Sequence, residues 1–354
     1  MTLASVTAEN VRCLIRVHLE PAQSNLIYGE NASGKTSLLE ALFILGRGRS
    51  FRTPKREKVV RDGETGMMVA GVVVAGDRQI KVGIGFERGK SPRIRVDGKD
   101  ETSAAALAHW VPVQVIDPDI HQLVEQGPGV RRRYLDWGVF HVEPRFLDTW
   151  RRYHRIVRQR NAALRDSSTV QLDAWDGELS AAGEALSAYR ERYTERLATH
   201  IGRLGRELLG EEPVVEYRRG WPAEKSLREA LSETRTRDKK FGITHVGSHR
   251  SDLIISLASK RARGRVSRGQ QKLLAATLIL SQLSQLKAER DVKSILLLDD
   301  LSAELDRGRL GRLRNVLAPL DAQVFMTAMD PDDLPGWEFG RVFHVEQGKV
   351  RSVV

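Results

Sequence analysis

A chain of 354 residues with 41% hydrophobic side chains can bury a large core, so it is read as one elaborate domain or two joined lobes and not as a string of modules. Its formal net charge of +11 favours a polyanionic partner, nucleic acid or an anionic membrane surface, although an arginine-rich solvated face gives the same sum. The single cysteine, Cys13, excludes an intrachain disulfide and a cysteine-built zinc site, and Glu9, Arg12, Arg16 and Glu20 interrupt any apolar run that a leader or membrane span would need. A cytoplasmic protein with no membrane attachment is expected.

Residues 3–19 alternate apolar and polar side chains, and residues 24–28 form a compact apolar run ending at Gly29, so strands lead into a glycine loop. That loop, Gly29-Glu30-Asn31-Ala32-Ser33-Gly34-Lys35-Thr36, fits G-x-x-x-x-G-K-[ST] between a predicted strand and a predicted helix over residues 37–45. Glycines let the backbone wrap close to phosphates, and the helix N-terminus adds partial positive charge. Lys35 then reaches the β and γ phosphates and Thr36 ligates magnesium. The expected ATP-binding residues are Gly29, Glu30, Asn31, Ala32, Ser33, Gly34, Lys35, Thr36 and Ser37, with Mg2+ as the accompanying ion.

Residues 67–98 are β-like with recurrent glycines, which predicts an antiparallel meander beside the loop. The apolar run 111–116 carries Gln114. Beyond Pro144 the character changes: residues 145–209 are rich in Arg, Ala, Leu and Glu and predict two or three helices. Heptads are not sustained there, so a compact helical lobe is expected in place of a long coiled coil. Within it Arg151, Arg155 and Arg158 share one helix face, and Lys260, Arg261, Arg263 and Arg265 form a later loop cluster. Both groups are placed to neutralise DNA phosphates, or else to be solvated or paired within the chain. His249 and Arg250 are expected to organise the lobe interface or the nucleotide site, since no companion ligands for a metal are visible.

Residues 253–257 read as a strand and residues 269–286 as a helix. Ile295-Leu296-Leu297-Leu298-Asp299-Asp300 is an apolar strand of the buried parallel type ending in two carboxylates. Beside a phosphate loop, Asp299 is expected to hold magnesium through its water shell and Asp300 to orient water near the γ phosphate. The two halves of this machinery lie at opposite ends of the chain, so they must meet in one sheet.

Ser267-Arg268-Gly269-Gln270-Gln271-Lys272, ahead of a long helix and upstream of the acidic strand, resembles the signature motif of ABC-type ATPases, with Arg268 in place of the first glycine. Leu301-Ser302-Ala303-Glu304-Leu305-Asp306 resembles their D-loop. The resemblance implies that Ser267, Gly269, Gln270 and Asp306 contact a nucleotide held by a second subunit, in a head-to-tail homodimer with two ATP molecules. Gln114 matches the position of the glutamine switch, which implies a catalytic and metal-ligating role, or it is an ordinary polar strand residue. The usual switch histidine is absent, since Val324-Phe325-Met326-Thr327-Ala328 offers only Thr327. The fold class expected is α/β: an ABC-type ATPase head with a mixed-sheet core and antiparallel β-subdomain from residues 1–116 and 253–354, plus a mainly helical lobe over 117–252.

The whole chain resembles the RecF family of recombination and repair mediators. The matching segments are Ser24 to Asn31, Arg131-Arg132-Arg133-Tyr134-Leu135-Asp136-Trp137, Gln159 to Leu164, and Gly247-Ser248-His249-Arg250-Ser251-Asp252-Leu253, where Ser248 stands in place of the family's proline. The resemblance implies ATP-dependent dimerisation on double-stranded DNA near single-strand gaps, slow DNA-stimulated hydrolysis that resets the clamp, and cooperation with RecR and RecO. The competing readings are a nucleotide-switched protein scaffold and another ABC-type ATPase. A transporter subunit is disfavoured by the 264 residues between Lys35 and Asp299.

Overall fold

A computed structural model describes residues 1–166, 172–258, 260–301 and 307–353. The elements run β1 (Thr2–Val11), β2 (Leu14–Leu19), β3 (Ser24–Tyr28), α1 (Lys35–Arg47), β4 (Gly66–Ala75), β5 (Arg78–Glu87), β6 (Arg93–Val96), β7 (Lys99–Glu101), α2 (Ala105–Trp110) and β8 (Val113–Ile116). The middle of the chain supplies α3 (Gln122–Glu125), α4 (Pro128–Val142), α5 (Phe146–Arg165), α6 (Leu172–Leu209), β9 (Val214–Arg218), α7 (Leu227–Phe241), β10 (Asp252–Leu257), β11 (Lys260–Arg261) and α8 (Arg268–Arg290). The end supplies β12 (Ile295–Leu298), α9 (Arg307–Leu317), β13 (Gln323–Ala328), β14 (Arg341–Glu346) and β15 (Lys349–Ser352).

Two compact units result, one from Met1–Ile120 with Leu286–Val354 and one from His121–Gln285. In the first, the predicted meander is an antiparallel sheet ordered β2-β1-β4-β5-β6-β7, and a second sheet is ordered β15-β14-β3-β13-β12-β8. The four strands β3, β13, β12 and β8 are parallel to their neighbours in that order. They come from both ends of the chain, so the distant halves of the sequence do share one sheet. Helix α1 is apolar on nearly every side because it is enclosed: Leu38, Leu39 and Leu42 share one core with Leu3, Val6 and Val69 of the antiparallel sheet and with Ile27, Leu297 and Phe325 of the mixed one. Its C-terminus closes on Gly48, in the left-handed conformation with φ 63°.

The second unit is built on α4 to α8 around a small antiparallel sheet ordered β11-β10-β9. The described residues of 145–209 form two helices, α5 and α6. Charges buried inside this unit are paired: Arg160 donates to Asp176 at 2.6 Å, to Asp238 at 2.7 Å and to Thr244 at 2.9 Å. The boundary expected after residue 252 lies instead after residue 285. The reason is pairing: β10 joins β9 from Asp252↔Arg218 to Ser256↔Val214, and α8 is tied to α4 by Tyr134 Oη donating to the Leu278 carbonyl and Gln282 Nε2 donating to that of Tyr134, both at 2.8 Å.

Candidate nucleotide-binding site

Strand register brings the phosphate loop and the carboxylates to one edge. Across the sheet Thr327 lies opposite Ile27 and Ala328 opposite Tyr28, while Leu298 lies opposite Met326. The residues that follow β3 and β12, Gly29 and Asp299, therefore emerge on either side of the end of β13. This is the carboxyl edge of a parallel sheet, where crossover connections leave room for ligands.

The loop itself is conformationally specialised. Gly29, Ala32 and Gly34 have φ of 149°, 63° and 121°, and an alternation of this kind turns successive backbone N–H groups toward an anion. A Cβ at Gly29 would lie 2.2 Å from the Val345 carbonyl oxygen, so only glycine fits. The loop is braced from outside by Gly348 N–H donating to the Ser33 carbonyl at 2.8 Å. Inside it, the buried Ser33 hydroxyl has no hydrogen-bond partner among the described residues, a polar atom that a phosphate oxygen would satisfy.

Lys35 donates to the carbonyls of Gly29 at 2.7 Å and Glu30 at 2.9 Å, which holds its ammonium in the loop. Burial lowers its pKa, opposed by the carboxylates of Asp300 and Asp299. Thr36 donates to Asp299 Oδ1 at 3.1 Å, and Thr327 donates to the same oxygen at 2.9 Å while accepting from the Asp300 N–H at 2.8 Å. One carboxylate oxygen thus joins α1, β12 and β13. Burial raises the Asp299 pKa, and the two hydroxyls and the neighbouring Asp300 modulate it in opposite senses. Hydroxyl and carboxylate oxygens side by side are the hard donors that magnesium prefers, so Thr36 and Asp299 would hold it. Asp300 adopts φ 53°, the left-handed turn by which the chain leaves the strand.

Three participants escape sequence reasoning. Asp117 follows β8, whose last residue Ile116 accepts from the Asp299 N–H at 2.9 Å. Its carboxyl is pushed up to about 6 by burial, then by Asp119 and Asp299. The signal was legible, since Asp117 ends a short apolar strand just as Asp299 does. Glu40, fully buried in α1, accepts from Arg12 Nε at 2.8 Å and Nη2 at 2.9 Å and lies 3.6 Å from Arg52 Nη1. It fastens the loop after α1, and Arg52 in turn acts on the Asp299 carboxylate.

The remaining expected residues are placed as follows. Gln114 is buried and lies opposite Leu296, three positions before Asp299. Ser267 and Gln270 form a reciprocal cap at the start of α8, Gln270 N–H donating to Ser267 Oγ at 3.3 Å and Ser267 N–H to Gln270 Oε1 at 3.0 Å. Gly269 faces open space. Asp306 lies outside the described residues. Arg151, Arg155, Arg158, Lys260, Arg261, Arg263 and Arg265 are all exposed. His249 is an interior residue of the helical unit, bonded to Tyr153 Oη at 2.7 Å and to the Thr244 carbonyl at 3.0 Å.

Comparison with known proteins agrees with this geometry. Residues 2–350 match the family described as RecF/RecN/SMC N terminal domain. The chain is 40% identical to the DNA replication and repair protein RecF of Pseudomonas paraeruginosa over 99% of this chain and 97% of that one. It is also 40% identical to the RecF of Thioalkalivibrio sulfidiphilus, with 99% of each covered. A solved structure described as the recombination mediator protein RecF with ATP in the RecFOR pathway superposes with a TM-score of 0.90 at 27% identity, covering 99% and 97%. A Smc head domain from Pyrococcus furiosus shares the fold alone, with a TM-score of 0.59 at 11% identity. A phosphate loop and a paired-carboxylate strand meeting at one sheet edge, with near-complete coverage at 40% identity, mean that the chain belongs to the RecF family within the RecF/RecN/SMC N-terminal domain group.

Proposed function

We propose that the chain is an ATP-driven DNA clamp of recombinational repair. The observation that supports this most is the hydrogen-bonded set Thr36–Asp299–Thr327–Asp300 at the mouth of the phosphate loop. In this reading Lys35 and the loop N–H groups bind the β and γ phosphates. Thr36 and Asp299 would hold magnesium, which would supply charge neutralisation of the phosphate oxygens. Asp300 orients the attacking water, and Thr327 fixes the backbone from which it projects. Asp299 and Thr36 share their polar atoms with one another, so the magnesium ligands are pre-positioned.

Hydrolysis in this reading is slow and DNA-stimulated, and Ser267, Gly269, Gln270 and Asp306 complete the site of a second copy in an ATP-dependent homodimer. The cationic residues Arg151, Arg155 and Arg158 and the cluster Lys260, Arg261, Arg263 and Arg265 neutralise phosphates of double-stranded or gapped DNA without reading bases. RecR and RecO are the protein partners. The location in this reading is cytoplasmic; separately, no helix among the described residues is long and apolar enough to cross a membrane. The test is sedimentation of the full chain with a gapped duplex in ATP plus magnesium and in ADP. A DNA-bound dimer formed only with ATP is expected, and a monomer indifferent to nucleotide would replace the clamp with a scaffold.

A further inference from the structure

The helical unit holds a cavity of about 180 Å³ that the nucleotide machinery does not use, lined by Val124, Pro128, Arg218, Ile254, Arg261 and Arg263 among others. Its position follows from strand register. Arg218 pairs with Asp252, Arg261 with Ser256, and Ile254 lies between those two on the same strand, so all five project from one face of the β11-β10-β9 sheet. On that face Arg218 and Arg261 are exposed, Ile254 and Ser256 half-buried and Asp252 buried, while Leu253, Ile255 and Leu257 of the alternate positions are buried, Leu253 and Ile255 also lining the cavity. Val214, opposite Ser256, adds an apolar side chain that is 63% exposed.

The charge around the recess is not balanced. The carboxylate in its wall, Asp252, is consumed by Arg131, whose Nε and Nη2 donate to its two oxygens at 2.8 and 3.0 Å. Glu216 shares the sheet face but does not line the cavity. Among the described residues Arg218, Arg261 and Arg263 have no acidic partner. The recess is thus apolar in part of its wall, cationic at its rim, and well below the roughly 300 Å³ of a typical small-molecule pocket. A duplex presents phosphates on a convex ridge and no apolar group to fill such a recess, whereas one apolar side chain flanked by carboxylates suits both wall and rim.

We propose that this cavity is a docking site for an acidic peptide segment of a partner protein, one that seats an apolar side chain against Val124, Pro128 and Ile254 while its carboxylates engage Arg218, Arg261 and Arg263. It rests on the DNA reading only in that Arg261 and Arg263 also belong to a cluster assigned to phosphates, so the peptide and DNA compete there. Arg218 belongs to the cavity alone and separates the two.

The test is fluorescence anisotropy of the full chain with a labelled peptide of four aspartates followed by leucine and phenylalanine, and separately with a labelled duplex. Saturable peptide binding is expected, weakened at least about tenfold by Arg218→Glu, with duplex binding changed less than about twofold. The same peptide with both apolar residues replaced by serine is expected to bind about tenfold more weakly. Absent peptide binding, equal binding of the serine peptide, or loss of duplex and not of peptide in Arg218→Glu would each overturn the proposal. The DNA reading is tested independently by Arg151→Glu with Arg155→Glu, which should lose duplex and keep peptide.

Discussion

At the phosphate edge, individual side chains hold one another in place before they hold anything else. Lys35 spans two loop carbonyls, and its charged form is disfavoured by burial and favoured by Asp300 and Asp299. Replacing it with methionine removes the only long cation inside the loop and should weaken nucleotide binding roughly 10- to 100-fold, read by titration of a fluorescent ATP analogue. Asp300 is different. Its backbone N–H, not its side chain, makes the contact to Thr327, so Asp300→Asn keeps the turn and the shape while removing the carboxylate. Nucleotide binding should stay within about twofold of the unchanged chain while hydrolysis slows at least about 100-fold. Normal turnover in that variant would move the water-orienting role to another group, and Asp117, at the end of the adjacent strand, is the first to examine.

At the level of elements, what the sequence made legible was local and what it hid was pairing across the chain. The loop Gly29 to Thr36 declares itself through its spacing, and Ile295 to Leu298 through its unbroken apolar run. Ser267 and Gln270, which resemble a signature motif in sequence, also form the N-terminal cap of α8. The second boundary was misplaced because nothing in residues 253–257 says that their neighbour is residues 214–218 and not a strand of the nucleotide sheet. Helix contacts were hidden in the same way. Gly138 in α4 meets Tyr193 of α6 so closely that a Cβ would lie 2.0 Å from its hydroxyl, whereas Gly177, also in a helix, faces open space. Gly138→Ala should cost about 1–3 kcal/mol in urea unfolding, and Gly177→Ala should gain about 0.5–1 kcal/mol. The helical unit also carries an acid sensitivity. Burial, then Arg250 and other nearby cations, lower the His249 pKa to about 4, and burial, then Arg190, lower that of His154 to about 4. A histidine that titrates lower in the fold than in the unfolded chain stabilises the fold in full above its unfolded value near 6.5, and that stabilisation is lost as pH falls through about 4. Stability should therefore drop across that window, by up to about 3 kcal/mol for each histidine, and the drop should shrink in His154→Gln.

For the molecule as a whole, the surplus of +11 is a prediction about salt. If the exposed face of Arg151, Arg155 and Arg158 meets phosphates, each contact displaces a counterion, and log affinity for a duplex falls with log salt by about 0.9 for every contact made. None of the three has an ion pair among the described residues, so changing them disturbs no internal bond. Replacing all three with alanine should make the slope shallower by roughly 2 to 3 while leaving ATP binding intact. A protein whose net charge merely keeps it soluble would show the same affinity loss at every salt concentration, or none, with the slope unchanged. The two outcomes also weigh the interior differently. Arg160 and Arg190 are fully buried and bonded to carboxylates, so they add to the formal charge without being available to DNA. The measured slope therefore reports the placement of cations on the surface, and it separates a clamp that grips the backbone from a chain that is only basic in composition.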